Sequence, residues 1–351
     1  MNPEPSPLAW AESGRLPDAL LRAGIRRLLR QRLASIDAAD CEQAAETLND
    51  FVKTMASAEI APVPELANEQ HYEVPAAFFE RVLGPHLKYS SAWWPEGVHD
   101  LATAEQAALA SSCERAGIAD GMQVLDLGCG WGSLSLWIAA HYPRCQVTAV
   151  SNSTPQRRFI EAAARQRGLD NVQVITCDMN CFDAPGQYDR IVSVEMFEHM
   201  RNHALLFRRI SEWLKRDGRF FMHIFTHRNT PYAFVDEGAG DWMSRHFFSG
   251  GMMPSADLPL HFQNHLSIER QWRWSGQHYQ RTAEAWLRQL DQQRGAVQEL
   301  FTQVYGARDA GLWLQRWRIF FMACAELFGF DQGQEWFVSH YRFRRATDGD
   351  R

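Results

Sequence analysis

Two carboxylates and an imidazole fall within five residues, in Val194-Glu195-Met196-Phe197-Glu198-His199, and a second imidazole, His223, follows in Met222-His223-Ile224-Phe225. Histidine titrates near working pH and can take or give a proton, while a paired carboxylate can hold an N–H or steady a cation. The same residue types at a strand end also cap helices and satisfy buried donors. His223 fits a hydrogen-bonded histidine in a buried strand equally well. A metal reading of Glu195, Glu198 and His199 is weaker, because no further ligand set has recognisable spacing. Upstream lies Asp126-Leu127-Gly128-Cys129-Gly130-Trp131-Gly132. Glycines there let a backbone approach a ligand closely. The dinucleotide fingerprint needs a third glycine where this chain has Ser133. Asp126 suits a ligand ammonium better than a pyrophosphate.

These groups need a scaffold, and the chain supplies an alternating one. MQVLDLG (122–128), QVTAVS (146–151), VQVITCD (172–178) and YDRIVSVEMF (188–197) are short apolar runs separated by helical periods at 133–142 and 158–168. RFFMHIFTH (219–227) reads as a further strand. The alternation predicts an α/β fold, a doubly wound Rossmann-like parallel sheet with right-handed crossovers. Glu195 to His199 then sit at the carboxyl edge of the fourth strand, where such sheets bind ligands. Helical spacing also predicts a basic amphipathic helix over 17–34, with Arg22, Arg26, Arg30 and Arg32 opposite its apolar face, and a second helix over 39–56. A basic helix of this kind can lie on a membrane; packing on its own domain with a solvated arginine face is the plainer expectation. A Pro-containing linker covers about 57–70. The organisation expected is an N-terminal helical extension over 1–66 and one domain over 67–351. That domain holds a cofactor core at about 100–227, a mostly helical substrate cap rich in Trp, Phe, Met and His at about 228–310, and C-terminal core elements at 311–351.

The 351 residues are 46% hydrophobic and 22% charged, ordinary globular composition, with a net charge of −6. That charge gives no global attraction for nucleic acid or an anionic membrane. No run reaches membrane-spanning length and no signal peptide is evident, so no integral membrane association is expected. Seven scattered cysteines without a CxxC read as reduced thiols of a cytoplasmic protein.

The glycine motif matches that of class I methyltransferases, and the resemblance narrows. HYEVPAAFF (71–79), KYSSAWW (88–94), VLDLGCGWGSL (124–134), VEMFEHM (194–200) and AELFGF (325–330) resemble the cyclopropane fatty acid synthase superfamily in order and spacing. RHFFSGGMMPSADLPLHFQ (245–263), HYQRTAEAWL (278–287) and WRIFFMACAELFG (317–329) resemble its coclaurine N-methyltransferase-like branch, which methylates amine nitrogens of plant benzylisoquinoline alkaloids. The resemblance implies S-adenosylmethionine as cofactor, a class I methyltransferase fold and a small amine, tetrahydroisoquinoline-like, as partner. By the same resemblance Tyr89 and Ser90 would contact the methionine end, with Asp126, Gly128 and Gly130 beside it. Ser151, Asn152 and Gln156 would lie near the ribose, and Asp178, Met179 and Asn180 would flank the adenine. Most enzymes of the class place an acid on the ribose after the second strand; Ser151-Asn152-Ser153 stands there instead.

Methyl transfer from a sulfonium is an in-line displacement that needs a free lone pair on the acceptor. Alkyl amines are mostly protonated at neutral pH, so a base is required. His199 suits that role on its ordinary pKa, with Glu195 and Glu198 holding the amine. The alternative is a cyclopropane-fatty-acyl-phospholipid synthase-like lipid enzyme. Lipid-modifying members hold a bicarbonate with a Cys, a Glu, a His and a Tyr. The resemblance puts Glu198 and His223 at two of those positions but Ser91 and Phe320 at the others, which favours amine transfer. A binding protein without activity has no support in the intact motifs. The N-terminal helices could form a homodimer contact.

Overall fold

The computed structural model describes residues 7–36, 39–62, 74–236, 238 and 241–347. Its centre is a seven-stranded sheet in the order β3-β2-β1-β4-β5-β9-β8. The strands are β1 (Gln123–Leu127), β2 (Gln146–Ser151), β3 (Val172–Thr176), β4 (Tyr188–Val194), β5 (Leu214–His227), β8 (Leu266–Trp274) and β9 (Trp336–Arg345). The first five pair in parallel, as the alternation predicts; β9 runs antiparallel between β5 and β8. Successive side chains point to opposite faces. Leu125, Leu127, Ile191, Phe220 and Met222 therefore join one buried cluster, and Val124, Val192 and Phe221 join another.

The segment 228–310 departs from the expected cap in one respect. It contains the two short strands β6 (Tyr232–Ala233) and β7 (Met252–Met253), and then β8, which belongs to the main sheet as its edge. The β8 sequence LSIERQWRW carries a period of two in Leu266, Ile268, Trp272 and Trp274, broken at Arg270, where the register with β9 shifts. Helix dominates from Gly276 on, in Gly276–Gln292 and Arg294–Gly329, the latter broken at Gly306 with φ 80°.

The N-terminal helices pack on this body. Leu21 and Ile36 join the cluster of Trp286, Trp317 and Phe320, while Met55, Ile60 and Ala61 join that of the sheet. The arginine face of Asp18–Ser35 is not simply solvated: Arg22 pairs with Glu284 and Glu326, Arg26 with Glu326, and Arg32 with Asp241. The linker expected over 57–70 lies outside the described residues from 63 onward, as does the boundary at 66/67. Among the described residues no helix is long and apolar enough to cross a membrane.

Gly276 opens the helix that carries Tyr279. A Cβ at Gly276 would stand 2.1 Å from the Trp336 carbonyl oxygen and 2.2 Å from that of Phe328. Both are backbone atoms, so the helix itself must shift. Gly276→Ala is expected to cost roughly 2–3 kcal/mol, the upper range for overpacking, read as a lower urea midpoint at unchanged m-value. Activity should fall with it, because Tyr279 moves.

Candidate active site

Glycine geometry shapes the first turn of the site. Gly128 and Gly132 adopt φ of 76° and 81° after β1. A Cβ on Gly128 would meet Met196 Cγ at 2.4 Å, and one on Gly132 would meet Ile160 at 2.7 Å. The backbone is thus pressed against both neighbouring units, and only glycine permits it.

Two cavities open here and share Gly128, Gly130, Gln156 and His199. The first is lined by Ser151, Asn152, Asp178, Met179 and Ala61. The second is lined by Lys88, Tyr89, Ser90, Asp126 and Glu195, and beyond them by an apolar wall including Phe225, Phe248, Phe320 and Phe328. Every residue expected at the cofactor lines one cavity or the other, with one exception. Asn180 lines neither; its side chain accepts from the Ala61 N–H and donates to the Ala61 carbonyl, both at 2.9 Å. It fastens the N-terminal extension against the first cavity, so the extension helps enclose the site.

The donor set fits the expected cofactor. Its adenosine end carries an exocyclic amine, acceptor ring nitrogens and ribose hydroxyls, suited to Asp178, Asn152 and the Ser151–Gln156 pair, whose Oγ and Oε1 lie 2.7 Å apart. Its amino-acid end is zwitterionic, suited to buried Asp126, which accepts from Ser135 Oγ at 2.6 Å, and to Lys88. Ser133 Oγ, lining the second cavity, is buried without a protein partner. Burial pushes the Asp126 carboxyl up to about 6 and the Lys88 ammonium down to about 8, so a bound ion of opposite sign would restore the charge of each. Buried Glu105 holds the loop leading to Lys88 by accepting the Gly84, His86 and Lys88 backbone N–H groups.

The reacting groups separate into those that face the cavities and those behind them. Glu195 sits in the left-handed region at φ 50°, a conformation a glutamate adopts only under constraint. Its Oε1 accepts from the Ser91 N–H at 2.9 Å and from His223 Nε2 at 3.1 Å, and its Oε2 accepts from the Tyr279 hydroxyl at 2.7 Å. Burial raises its pKa, against the pull of Lys88 and of the Ser91 and Tyr279 donors. His199 lies where the cavities meet, its ring tilted on Phe248 at 4.4 Å. Burial lowers its pKa to about 4, so its ring is neutral. Glu198 lines neither cavity. It is fully buried, with Oε1 on the Phe225 N–H at 2.7 Å, and holds β5 to the turn that carries Glu195 and His199. His223 is likewise buried behind Glu195. Among the described residues no cluster could hold a metal.

Sequence reasoning missed Tyr279, Lys88 and Cys324, which line the second cavity. All three lie inside the quoted segments HYQRTAEAWL, KYSSAWW and WRIFFMACAELFG, but nothing in their spacing marks a side chain as facing a site. Ser91 Oγ turns to the Ala92 carbonyl, and Phe320 stacks on Phe247 at 4.4 Å. A phenol and a thiol are still present, from Tyr279 and Cys324; the phenol is committed to Glu195, and burial pushes the thiol pKa up.

The family model for mycolic acid cyclopropane synthetase matches residues 64–336. An (S)-coclaurine N-methyltransferase of Thalictrum flavum subsp. glaucum is 37% identical over 95% of this chain and 94% of its own. The crystal structure of a coclaurine N-methyltransferase bound to N-methylheliamine and SAH superposes with a TM-score of 0.93 at 36% identity, over 96% of this chain and 98% of the other. A cyclopropane-fatty-acyl-phospholipid synthase of Escherichia coli (strain K12) is 31% identical, over 71% of this chain and 66% of its own.

Two measurements of cofactor-product affinity check the geometry. Gly128→Ala should weaken S-adenosylhomocysteine binding at least about tenfold by calorimetry, since the backbone must move by an ångström or more. Asn180→Ala should weaken it by about three- to tenfold, one lost pair of hydrogen bonds, and should expose Ala61 to faster amide exchange.

Proposed function

The chain belongs to the mycolic acid cyclopropane synthetase family and is an S-adenosylmethionine-dependent methyltransferase, and we propose that it methylates the nitrogen of a hydrophobic, ring-bearing amine of the tetrahydroisoquinoline class. The observation that carries this reading is the Glu195 carboxylate, held by three donors and lining the same cavity as the aromatic wall of Phe225, Phe248, Phe320 and Phe328. A flat apolar ring system fits such a wall, and its ammonium finds a counter-charge in Glu195, since Asp126 suits the ammonium of the cofactor. The likeness to coclaurine N-methyltransferases over almost the whole chain supports it, and the likeness to the cyclopropane-fatty-acyl-phospholipid synthase covers less of the chain at lower identity.

The bound cofactor supplies an electrophilic methyl group on a sulfonium. The protein must orient the amine and remove its proton. Glu195 suits proton removal better than His199 does. Its pKa is raised by burial, whereas that of His199 is lowered to about 4, too weak a base for an alkylammonium. In a site shielded from water, an ammonium–carboxylate pair collapses readily to neutral amine and carboxylic acid, because both charges lose solvation. The base expected at His199 therefore moves to Glu195. His199, neutral at the junction of the cavities, flanks the reacting atoms and keeps them in line. The faces of Phe225, Phe248 and Phe328 favour the cation that forms. Glu198 and His223 act from behind, by holding the turn and Glu195.

Bicarbonate-dependent cyclopropanation fits less well. Ser91 Oγ is spent on a backbone carbonyl, Phe320 brings no hydroxyl, and Tyr279 is already bonded. An anion there would keep few partners and face Glu195. The seven free cysteines suit a reducing compartment, and we place the enzyme in the cytoplasm.

With methyl-labelled cofactor, label should appear on the nitrogen of tetrahydroisoquinoline acceptors by mass spectrometry and not in vesicles of unsaturated phospholipid. Label confined to acyl chains would make this a lipid enzyme. Glu195→Gln should lower kcat about 100-fold or more. The acid limb of kcat/KM should lie above the ordinary glutamate value of 4.5, with activity lost as the pH falls through the raised Glu195 pKa. Tyr279→Phe removes a donor from the carboxylate and should move that limb further up.

A further inference from the structure

Glu195 is the inner end of a chain of side chains that runs to the surface. His223 Nε2 meets Glu195 Oε1 at 3.1 Å, and His223 Nδ1 meets His340 Nε2 at 2.9 Å. His340 Nδ1 meets Arg115 Nη1. The histidines are Cα partners across β5 and β9, so both project to one face of the sheet, and both are fully buried. Arg115, on the helix Leu101–Ala116, lies with its guanidinium 5.3 and 5.1 Å from the rings of Trp272 and Trp274 of β8. Neither His340 nor Arg115 lines either cavity.

The chemistry of the outer end dictates the direction of the whole chain. A guanidinium only donates. His340 Nδ1 must then accept, which leaves the hydrogen of a neutral ring on Nε2. That hydrogen points at His223 Nδ1, which must accept in turn, so the hydrogen of His223 is on Nε2 and points at Glu195. Burial and the nearby arginine depress both imidazoles well below their ordinary range, so both rings are neutral. The same logic rules out an outward proton path, since Arg115 has no lone pair to receive one.

We propose that Arg115 and His340 are positioning residues for methyl transfer: through two fixed imidazole tautomers they hold an N–H donor on Glu195 Oε1, keeping the carboxylate ionised and aimed at the amine. The other groups facing Glu195 are Lys88, the Ser91 N–H, Tyr279, His199, Glu198 and the Cys324 thiol. Only Lys88 brings a positive charge, and burial brings its pKa down to about 8. Glu198 opposes a second negative charge, so each donor on the Glu195 carboxylate, that of His223 among them, favours its ionised form. This inference rests on the reading of Glu195 as the group that meets the amine.

The test begins without substrate. In the full chain labelled with ¹⁵N-histidine, two-bond ¹H–¹⁵N spectra assigned with His223→Gln and His340→Gln should show both rings as Nε2–H tautomers. Arg115→Met should give His340 a mixture of tautomers, while Arg115→Lys, which still only donates, should keep the wild-type pattern. Arg115→Met should also shift the acid limb of kcat/KM upward by about one pH unit, a tenfold loss near the limb. That loss should be regained at higher pH, with kcat on the plateau within about twofold of wild type. Nδ1–H on either ring of the wild type overturns the proposal, and so does an Arg115→Met enzyme with unmoved tautomers and an unmoved limb. If Arg115→Met does not fold, the wild-type and Arg115→Lys spectra still decide. Correct tautomers in a protein that methylates no amine would overturn the amine reading and leave the relay standing.

Discussion

The structure depends most on how one carboxylate is held in a place that disfavours it. Glu195 is buried and forced to a positive φ at the end of β4, and both features cost free energy unless the surroundings compensate. Compensation comes from four contacts on three separate elements: a backbone N–H in the loop at Ser91, a phenol on the helix from Gly276, and, on β5, the His223 imidazole together with the His223 carbonyl that fixes the Glu195 backbone N–H at 2.8 Å. The sheet brings β4 and β5 side by side, and the cap lays Tyr279 across their ends. Much of the remaining architecture is the means of gathering those donors at one point.

The cofactor side follows a different rule. Close backbone approach does the work there, with glycines against Met196 and Ile160 and few charged side chains. The N-terminal extension closes that side through Ala61 and Asn180. It is therefore part of the site, and not an appendage to it. Its arginines serve internal ion pairs with the C-terminal helices, which tie both ends of the chain to the cap.

How much of this could be read from the sequence depends on the range of the interaction. Strand–helix alternation, the glycine turn and the cluster from Glu195 to His199 are local patterns, and each falls where period and spacing put it. β8 fell inside the segment expected to be a mostly helical cap, although Leu266, Ile268, Trp272 and Trp274 stand at a period of two; the break at Arg270, where its register with β9 shifts, shortens that signal. The contributions of Tyr279, Lys88, His340 and Arg115 arise from pairs 84 to 225 residues apart, such as Tyr279 on Glu195 and Arg115 on His340. No local period encodes such contacts. Glu198 shows the converse failure. Its residue type and neighbours suggest chemistry, yet it lines neither cavity, with Oε1 on the Phe225 N–H and Oε2 buried without a protein partner.

Acid, imidazole and cofactor turn converge on one small volume at the junction of the cavities, and amine methylation requires the acceptor nitrogen to be there. The most direct measurement is a crystal structure of the chain with S-adenosylhomocysteine and a tetrahydroisoquinoline amine. The account predicts the amine nitrogen within hydrogen-bond distance of the Glu195 carboxylate, beside His199 and directed at the sulfur, with the rings against Phe225, Phe248 and Phe328. A nitrogen seated elsewhere in the cavity, with Glu195 still bound only to its three protein donors, would contradict it.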